Sequence, residues 1–345
     1  MPRNVPDVRH RPTELWGSPL SVLVTGGAGY IGSHMVHALI DRGEHPVVLD
    51  NLCTGVRGLV AEEATFVEGD VADINAVRDL IQDLEIDAVI HFAGSVVVPE
   101  SVDNPLFYYA NNTAASRNLI EACVAEGMQN FVFSSTAAVY GAPETMPVSE
   151  DTPTNPINPY GRSKLMTEWM LRDTSAAHDF RYAALRYFNV AGADGKGRTG
   201  QSTPKATHLI KRACQAALGR VPHLSIFGND FPTADGTGVR DYIHVMDLIE
   251  AHLLALGYLR KNGQSIVCNA GYGHGFSVRE VVRAVEQVSG QPLPVKEEAR
   301  RAGDPPAVIA NSERLKSTLN WEPAYDDLDV IVRSAYAWES RLNSA

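Results

Sequence analysis

The sequence has few cysteines and no long apolar run, and these absences exclude whole classes of protein. Its four cysteines lie far apart, with no C-x-x-C pair and no nearby histidine cluster, so neither a disulfide framework nor a metal site is expected. No apolar stretch approaches the roughly 20 residues that a membrane-spanning helix needs, and the first twenty residues lack a signal-peptide run. We therefore expect reduced thiols, a cytoplasmic location and no membrane partner, with residues 1–19 forming a loosely ordered arm.

Basic residues are also in the minority. Thirty Lys and Arg stand against 41 Asp and Glu, which gives a net charge of -11 at pH 7 and repels nucleic-acid backbones. No nucleic-acid partner is expected, and any anionic ligand must be held by a few well-placed arginines. With 44% hydrophobic and 21% charged residues in a chain of 345, the composition is that of an ordinary globular protein with one large and one smaller domain.

Short apolar runs alternate with helical periods through the first half of the chain. Each run is continuous rather than alternating, which predicts strands buried on both faces. The predicted strands are 21–26, 46–50, 65–70, 87–94, 130–135 and 182–189, and the predicted helices are 30–42, 73–84, 105–126 and 160–178. This rhythm indicates an α/β fold with a doubly wound parallel sheet, a Rossmann domain that binds ligands beyond the carboxyl ends of its strands.

After the sixth predicted strand the sequence changes in character. It has Gly- and Pro-rich loops at 191–204, 228–238 and 300–307, and predicted helices at 205–219 and 277–289. The run SIVCNAG at 265–271 predicts one further strand that returns to the main sheet. We therefore predict an NAD-binding Rossmann domain over 20–190, to which 239–271 returns. The regions 191–238 and 272–345 then form a smaller, mixed α/β C-terminal lobe that binds the substrate.

A glycine-rich segment follows the first strand directly. Gly26, Gly29 and Gly32 have the spacing G-x-x-G-x-x-G and precede a helix. Glycine lets the backbone turn tightly and approach a pyrophosphate, whose charge meets free N–H groups at the helix start. A turn that merely tolerates glycine is the alternative. Asp50, 18 residues past Gly32 at the end of the second strand, favours a dinucleotide, and NAD over NADP, because a carboxylate binds a ribose 2′-hydroxyl and repels a 2′-phosphate.

Tyr160 and Lys164 form a second pattern. They lie at positions i and i+4 of a predicted helix and share a face, although a tyrosine ring packed on a lysine stem is the alternative. A phenol has a pKa near 10, and a nearby ammonium group lowers it by about 1–3 pH units. A positively charged cofactor would lower it further. Thr136, at the end of the preceding strand, can offer its hydroxyl to the same reacting oxygen, so we expect these three residues to be catalytic.

Several long motifs accompany these residues. They include VTGGAGYIGSH (24–34), FSSTAAVYG (133–141), PYGRSKLMTE (159–168), LRYFNVAGA (185–193) and IFGNDFPTADGTGVRDYIHVMDL (226–248). Together they resemble the UDP-glucose 4-epimerase family, within the extended short-chain dehydrogenase/reductase superfamily, from about residue 20 to 340. The resemblance implies an isomerase that interconverts UDP-glucose and UDP-galactose by transient oxidation at C4 with tightly bound NAD. It also implies a homodimer packed through the helices near 105–126 and 160–178.

The resemblance further implies which residues contact each ligand. For NAD it adds to the glycine turn, Tyr160 and Lys164 the residues Tyr30, Ile31, Asp50, Asn51, Leu52, Cys53, Thr54, Gly55, Asp70, Val71, Phe92, Ala93, Gly94, Ser95, Val96, Asn111 and Phe188. For the UDP-sugar it implies Thr136, Asn189, Leu209, Phe227, Arg240 and Arg301, with Asp304 on the uridine ribose. Either arginine can grip a phosphate with two hydrogen bonds, and solvated surface arginines are the alternative.

Three positions differ from the pattern of some or many family members. Thr136 replaces a serine and keeps the hydroxyl. A short segment at 199–208 places Thr207 and His208 where some members have two asparagines, which leaves the contact of His208 with the diphosphate open. Val308 replaces a tyrosine at the wall of the hexose pocket. The space so released predicts that UDP-N-acetylglucosamine and UDP-N-acetylgalactosamine are accepted as well.

Three other functions are alternatives to this one. A UDP-sugar 4-epimerase acting on a pentose or a uronate would share the same residues. A nucleotide-sugar dehydratase of this fold would need an acid and a base after the threonine, where Ala137 and Ala138 stand. A non-catalytic NAD-binding regulator would have no use for Tyr160 and Lys164.

Overall fold

A seven-stranded parallel sheet forms the centre of the protein. The computed structural model describes residues 21–203, 206–301 and 304–342, so the predicted arm at 1–19 lies outside the described residues. The strands are β1 (Ser21–Thr25), β2 (His45–Asp50), β3 (Thr65–Glu68), β4 (Ile86–His91), β5 (Asn130–Ser134), β6 (Arg181–Tyr187), β7 (Asn189–Ala191), β8 (Leu224–Phe227), β9 (Val239–Arg240), β10 (Tyr242–His244), β11 (Ile266–Ala270), β12 (Phe276–Ser277), β13 (Val295–Glu298) and β14 (Ala307–Val308). The order in the central sheet is β11-β6-β5-β4-β1-β2-β3.

Helices cover both faces of this sheet. They are α1 (Tyr30–Ile40), α2 (Ile74–Asp83), α3 (Val98–Asp103), α4 (Pro105–Tyr108), α5 (Ala115–Ala125), α6 (Pro159–Ala177), α7 (Leu209–Ala217), α8 (Val245–Arg260), α9 (Val278–Ser289), α10 (Glu313–Leu319) and α11 (Leu328–Arg341). Short 3₁₀ turns lie at Arg57–Leu59 and Ala137–Tyr140, and a π-helical turn at Tyr109–Ala114. None of the helices in the described ranges combines the length and the apolarity that crossing a bilayer requires.

The continuous apolar runs are explained by this two-sided packing. Along β1, Val22 and Val24 belong to one apolar cluster, and Leu23 belongs to the cluster on the opposite face. All three side chains are fully buried, because successive side chains of a strand point to opposite faces and both faces are covered. The predicted doubly wound α/β fold is confirmed.

The order in which the chain adds strands to the sheet reverses at β1, so the gap between β1 and β4 is a topological switch point. From β1 it proceeds outward to β2 and β3, then returns to place β4 on the other side of β1. At such a switch point the loops leaving two adjacent strands diverge and open a crevice at the carboxyl edge. The glycine segment leaves β1 at this point.

The region after β6 builds small sheets beside the carboxyl edge. β7 pairs with β10, β8 with β13, and β9 lies between β12 and β14. Helices α7, α9 and α11 pack on one another. The strand predicted at 265–271 is β11, which pairs in parallel with β6. The C-terminal part is thus of mixed α/β structure, as predicted, while its division into domains remains a prediction.

Several predicted elements differ from the structure, among them the strand predicted at 87–94, which ends at His91. The single helix predicted at 105–126 is interrupted by the π-helical turn at Tyr109–Ala114, which lets that segment fold against α6. The strand predicted at 182–189 ends at Tyr187, and the chain then starts β7 at Asn189. The helix predicted to begin at 205 begins at Leu209.

Candidate active site

The glycine turn between β1 and α1 has no space for side chains. Gly26 has a φ of +71°, which favours glycine, and a β-carbon there would come within 2.7 Å of the Ala93 nitrogen. A β-carbon on Gly32 would overlap the carbonyl oxygen of Gly26. Gly29 caps α1 without any side-chain hydrogen bond. The first N–H groups of α1 therefore face the crevice at the switch point, the arrangement that binds phosphate groups.

Asp50 fixes this turn to the end of β2. Its Oδ2 accepts a hydrogen bond from the Ala28 nitrogen at 2.9 Å, and its Oδ1 accepts one from the Leu52 nitrogen at 2.8 Å. The carboxylate is 8% exposed, and each oxygen keeps a second acceptor position. A β-carbon on Gly55 would lie 2.8 Å from Oδ1, so the carboxylate and the loop after β2 are closely packed.

The other residues expected at the cofactor lie along the same edge of the sheet. Asp70 and Val71 follow β3, and Oδ2 of Asp70 accepts a hydrogen bond from Nδ2 of Asn51 at 3.2 Å. In the loop after Asp50, Cys53 and Thr54 are exposed and Leu52 is half-buried. Ile31 packs partly buried in the first turn of α1, and the hydroxyl of Tyr30 donates to the carbonyl of Gly192 at 2.7 Å. The structure thus places these residues together.

The segment Phe92–Val96 lies between the glycine turn and α6. Its start touches the turn through Ala93, while a β-carbon on Gly94 would lie 3.7 Å from Nζ of Lys164. Asn111, in the π-helical turn, donates from Nδ2 to Oγ of Ser95 at 2.9 Å. One continuous surface therefore leads from the glycine turn to the helix that carries Tyr160.

Tyr160, Lys164 and Thr136 are buried together at the end of this surface. Helix α6 begins at Pro159 because Asn158 caps it, its side chain accepting from the Gly161 nitrogen at 2.9 Å. Tyr160 and Lys164 follow on its inner face, 7% and 3% exposed. The Thr136 hydroxyl lies close enough to the phenol of Tyr160 to lower its pKa, and Nζ of Lys164 donates to the Ser134 carbonyl at 3.0 Å. The three residues predicted to act together are neighbours.

Burial has opposite effects on the two ionisable groups. It raises the pKa of the Tyr160 phenol, and the hydrogen bond from Thr136 offsets part of that rise. Burial lowers the pKa of the Lys164 ammonium to about 8. The hydroxyl of Thr136 therefore favours the phenolate of Tyr160, while the effect of the Lys164 charge on the pKa of Tyr160 stays a prediction.

Asn112 holds this arrangement, although the sequence analysis did not single it out. Its Oδ1 accepts from the Ser95 nitrogen at 2.7 Å, and its Nδ2 donates to the Ser95 carbonyl and to Oγ of Ser163, each at 3.0 Å. The residue thereby joins the segment after β4 to α6. The only signal in the sequence is its place beside Asn111, because the partners of a side-chain amide leave no periodic pattern.

The residues expected at the UDP-sugar lie on several neighbouring segments. β14 pairs with β9, which sets Val308 beside Arg240, and the guanidinium of Arg301 stacks 3.8 Å from the ring centroid of Phe227. Burial lowers the pKa of Arg240, and the charge of Asp304 opposes this. Among the residues that the structure describes, no carboxylate forms a salt bridge with Arg240 or with Arg301.

Three further residues of that group, Asn189, Leu209 and His208, lie around these, together with Phe188, which is expected at NAD. Phe188 belongs to an apolar cluster with Tyr140 and Leu165, and Val308 packs against the same cluster. Asn189 donates from Nδ2 to the Asp241 carbonyl, 3.4 Å away. Leu209 is the first residue of α7. His208 precedes it, exposed, with Nδ1 at 3.3 Å from Nε2 of Gln201, and its contact with a diphosphate stays a prediction.

Two alanines occupy the positions after Thr136 where a dehydratase of this fold would need an acid and a base. Ala137 and Ala138 follow Thr136 in a 3₁₀ turn, and the Ala138 nitrogen donates to Oγ1 of Thr136 at 3.1 Å. Over the described ranges, no group of three or more His, Cys, Asp or Glu side chains is placed to hold a metal ion.

Comparison with known proteins agrees with this geometry. The model of the NAD dependent epimerase/dehydratase family matches residues 22–271. The UDP-glucose 4-epimerase of Azospirillum brasilense is 58% identical over 324 residues, covering 94% of this chain and 93% of that protein. A UDP-glucose 4-epimerase from Brucella ovis, solved in complex with NAD, superimposes with a TM-score of 0.90 at 46% identity and covers 92% of this chain and 98% of its own. The UDP-Glc/GlcNAc 4-epimerase of Campylobacter jejuni gives a TM-score of 0.82 at 48% identity, covering 93% and 99%.

The predicted resemblance is therefore confirmed along nearly the whole chain, in sequence and in fold. The chain belongs to the NAD dependent epimerase/dehydratase family, and within it to the UDP-glucose 4-epimerases.

Proposed function

We propose that this chain interconverts UDP-glucose and UDP-galactose at C4 of the hexose, with Tyr160 moving the proton. The observation that carries the proposal is the burial of Tyr160, Thr136 and Lys164 together, at the end of the surface that begins at the glycine turn. A buried phenol beside a hydroxyl, and one helical turn from an ammonium group, suits the oxidation of a secondary alcohol, which needs one proton acceptor at the alcohol oxygen.

The residues at the switch point fit NAD. A turn without side chains and the open start of α1 suit a pyrophosphate, and the carboxylate of Asp50 suits a ribose with a free 2′-hydroxyl. When bound, NAD supplies an acceptor that takes up the C4 hydrogen of the hexose with its electron pair and later returns it. The residues between Gly26 and Asn111 that line this edge would hold it.

Side chains of the protein remove and return the proton of the 4-hydroxyl group. Tyr160 takes the proton from the 4-hydroxyl as the alcohol becomes a ketone, while Thr136 donates a hydrogen bond that stabilises the charge on the reacting oxygen. Lys164, anchored to the Ser134 carbonyl, keeps a positive charge near the phenolate. After the ketone has turned its other face to the cofactor, Tyr160 returns the proton.

The substrate must be held at its nucleotide and left free at its hexose. Arg240 and Arg301, which form no salt bridge with a carboxylate in the described part of the chain, suit the two phosphates. Phe227 and Asp304 stand beside them for the uridine and its ribose. A hexose gripped as firmly could not present both faces of its ketone, so rotation requires a wider and less polar pocket there.

Turnover of purified protein tests this function. Protein prepared without added cofactor should convert UDP-galactose to UDP-glucose, and the reverse, to the same equilibrium mixture, as followed by ion-pair chromatography. Absorbance at the reduced-nicotinamide band should not rise continuously, because NAD is regenerated in each cycle.

Other results would point to the alternatives. A continuing rise at that band would indicate a dehydrogenase. Turnover confined to UDP-pentoses or UDP-uronates in a panel of UDP-sugars would indicate a different 4-epimerase, and NAD binding without turnover of any UDP-sugar would indicate a regulator.

We also propose that the protein is a cytoplasmic homodimer. Helices α3, α4 and α6 expose large apolar side chains, with Leu106 78%, Phe107 46% and Trp169 47% exposed, and an apolar groove is lined by Tyr109 and Met166. Contiguous apolar surface of this kind is typical of protein interfaces. Light scattering should give twice the chain mass, and Leu106→Glu should give the monomer mass. A wild-type monomer at micromolar concentration would contradict the proposal.

A further inference from the structure

Three successive residues at the end of β5 contact the face of α6 that carries Tyr160. The Ser134 carbonyl accepts a hydrogen bond from Lys164, the Ser135 hydroxyl donates one to Glu168, and the Thr136 hydroxyl lies beside the phenol of Tyr160. Because Tyr160, Lys164 and Glu168 lie four residues apart along the helix, they share its inner face. Two of these contacts involve residues with a role in the proposed reaction, namely Lys164, and Thr136 with Tyr160. The contact between Ser135 and Glu168 involves no residue with such a role.

Glu168 is the centre of a buried network. Its carboxylate receives Nε of Arg186 at 3.0 Å and Nη2 at 2.6 Å, and the two side chains are only 5% and 8% exposed. Arg186 lies on β6, the strand next to β5. A charged pair this deeply buried needs all of its hydrogen bonds to be satisfied, which fixes its geometry.

The same pair reaches the other end of the turn that carries Thr136. Nη1 of Arg186 donates to the hydroxyl of Tyr140 at 2.9 Å, and that hydroxyl donates to Oδ1 of Asn269 on β11 at 2.7 Å. Tyr140 ends the 3₁₀ turn Ala137–Tyr140 that follows Thr136. The turn is therefore held before Thr136 through Ser135 and after it through Tyr140, both times to the one ion pair on α6 and β6.

We infer that Glu168 and Arg186 are positioning residues, which set the Thr136 hydroxyl against Tyr160 by holding Ser135 and Tyr140. This inference rests on the proposed function of Thr136 and Tyr160. A misplacement of about 1 Å between reacting groups lowers turnover by up to about 100-fold, so the contribution of such a network appears in kcat. Its effect on KM should be small, because the nucleotide of the substrate is proposed to be held by Arg240 and Arg301, which this network does not contact.

Variants that loosen the turn while keeping the ion pair test the inference. Ser135→Ala and Tyr140→Phe each remove one hydroxyl and leave the Glu168–Arg186 pair in place, so the protein should fold, as circular dichroism and thermal unfolding will show. We expect each variant to lower kcat about 10-fold with KM within twofold of wild type. Thr167→Val and Tyr272→Phe are matched controls. Each removes a fully or nearly fully buried hydroxyl that bonds elsewhere, to the Ser163 carbonyl and to Asp247, and should keep kcat within twofold.

A double-mutant comparison decides whether the network acts through Thr136. In a Thr136→Ala background, Ser135→Ala and Tyr140→Phe should each cause less than a threefold further loss of kcat, because the hydroxyl they position is already gone. A further loss of threefold or more would overturn the inference, as would single variants with kcat within twofold of wild type. Wild-type turnover in the same assay decides the proposed function separately.

Discussion

Replacing Tyr160 with phenylalanine should lower kcat by about 10²–10⁴-fold, the usual effect of losing a positioned acid or base. The ring of Tyr160 is buried edge-on against Tyr108, with 6.5 Å between centroids. Phenylalanine keeps that packing and removes only the oxygen. The fold and the retention of NAD should therefore be unchanged, as measured by thermal unfolding and by the cofactor released on denaturation.

A second tyrosine shows whether the loss is specific to the active site. Tyr272→Phe also removes a buried hydroxyl, whose bonds run to Asp247 and His244 in the C-terminal part. It should lower the unfolding temperature and leave kcat within twofold. Near-normal turnover of Tyr160→Phe would show that another group moves the proton.

The pH dependence of Lys164→Met follows from the same pair. Burial raises the pKa of Tyr160, and the reaction requires the phenolate to accept a proton. Removing the ammonium takes away a charge that favours the phenolate, so the pKa of Tyr160 rises. The acidic limb of the kcat profile should accordingly move to higher pH, whereas an unmoved limb would show that Lys164 has another task.

The large sheet and its ligand edge were predictable because their signals are local. Each strand of the sheet is a continuous apolar run, and Gly26, Gly29 and Gly32 lie within seven consecutive residues. Asp50 was predictable as a cofactor-binding residue because it follows Gly32 by 18 residues, at the end of the second strand. Burial on both faces and a close backbone approach constrain residue type directly, so single residues carry the information.

The short strands of the C-terminal part were not predictable for the opposite reason. β9, β12 and β14 have two residues each and pair across tens of residues, so no period exists to detect. The roles of Asn112 and Glu168 were not predictable from the sequence for a related reason. Their partners come from other strands and helices, and only the folded chain shows that Glu168 meets Arg186.

Val308 should decide whether an N-acetylated sugar is accepted. It stands beside Arg240 through the pairing of β14 with β9, and packs partly buried against the cluster that contains Phe188 and Leu165. Since Leu165 follows Lys164 on α6, we expect Val308 to line the path of the hexose from the phosphates toward Tyr160. A phenol at this position would fill space that a valine leaves open, and we expect that space to admit an acetamido group.

We therefore propose that the wild type uses UDP-N-acetylglucosamine as well as UDP-glucose, and that Val308→Tyr lowers kcat/KM for the N-acetylated substrate by at least about 10-fold, the discrimination that a filled pocket typically gives. Burying an acetamide whose N–H and C=O find no partners costs free energy, so kcat/KM of the wild type should be lower for this substrate than for UDP-glucose. Val308→Ile, which adds one methylene group, is the matched control and should retain most of the activity. Turnover on both UDP-sugar pairs measures the effect. A wild type inactive on the N-acetylated sugar, or a tyrosine variant that uses it equally well, would show that Val308 does not set the size of the hexose pocket.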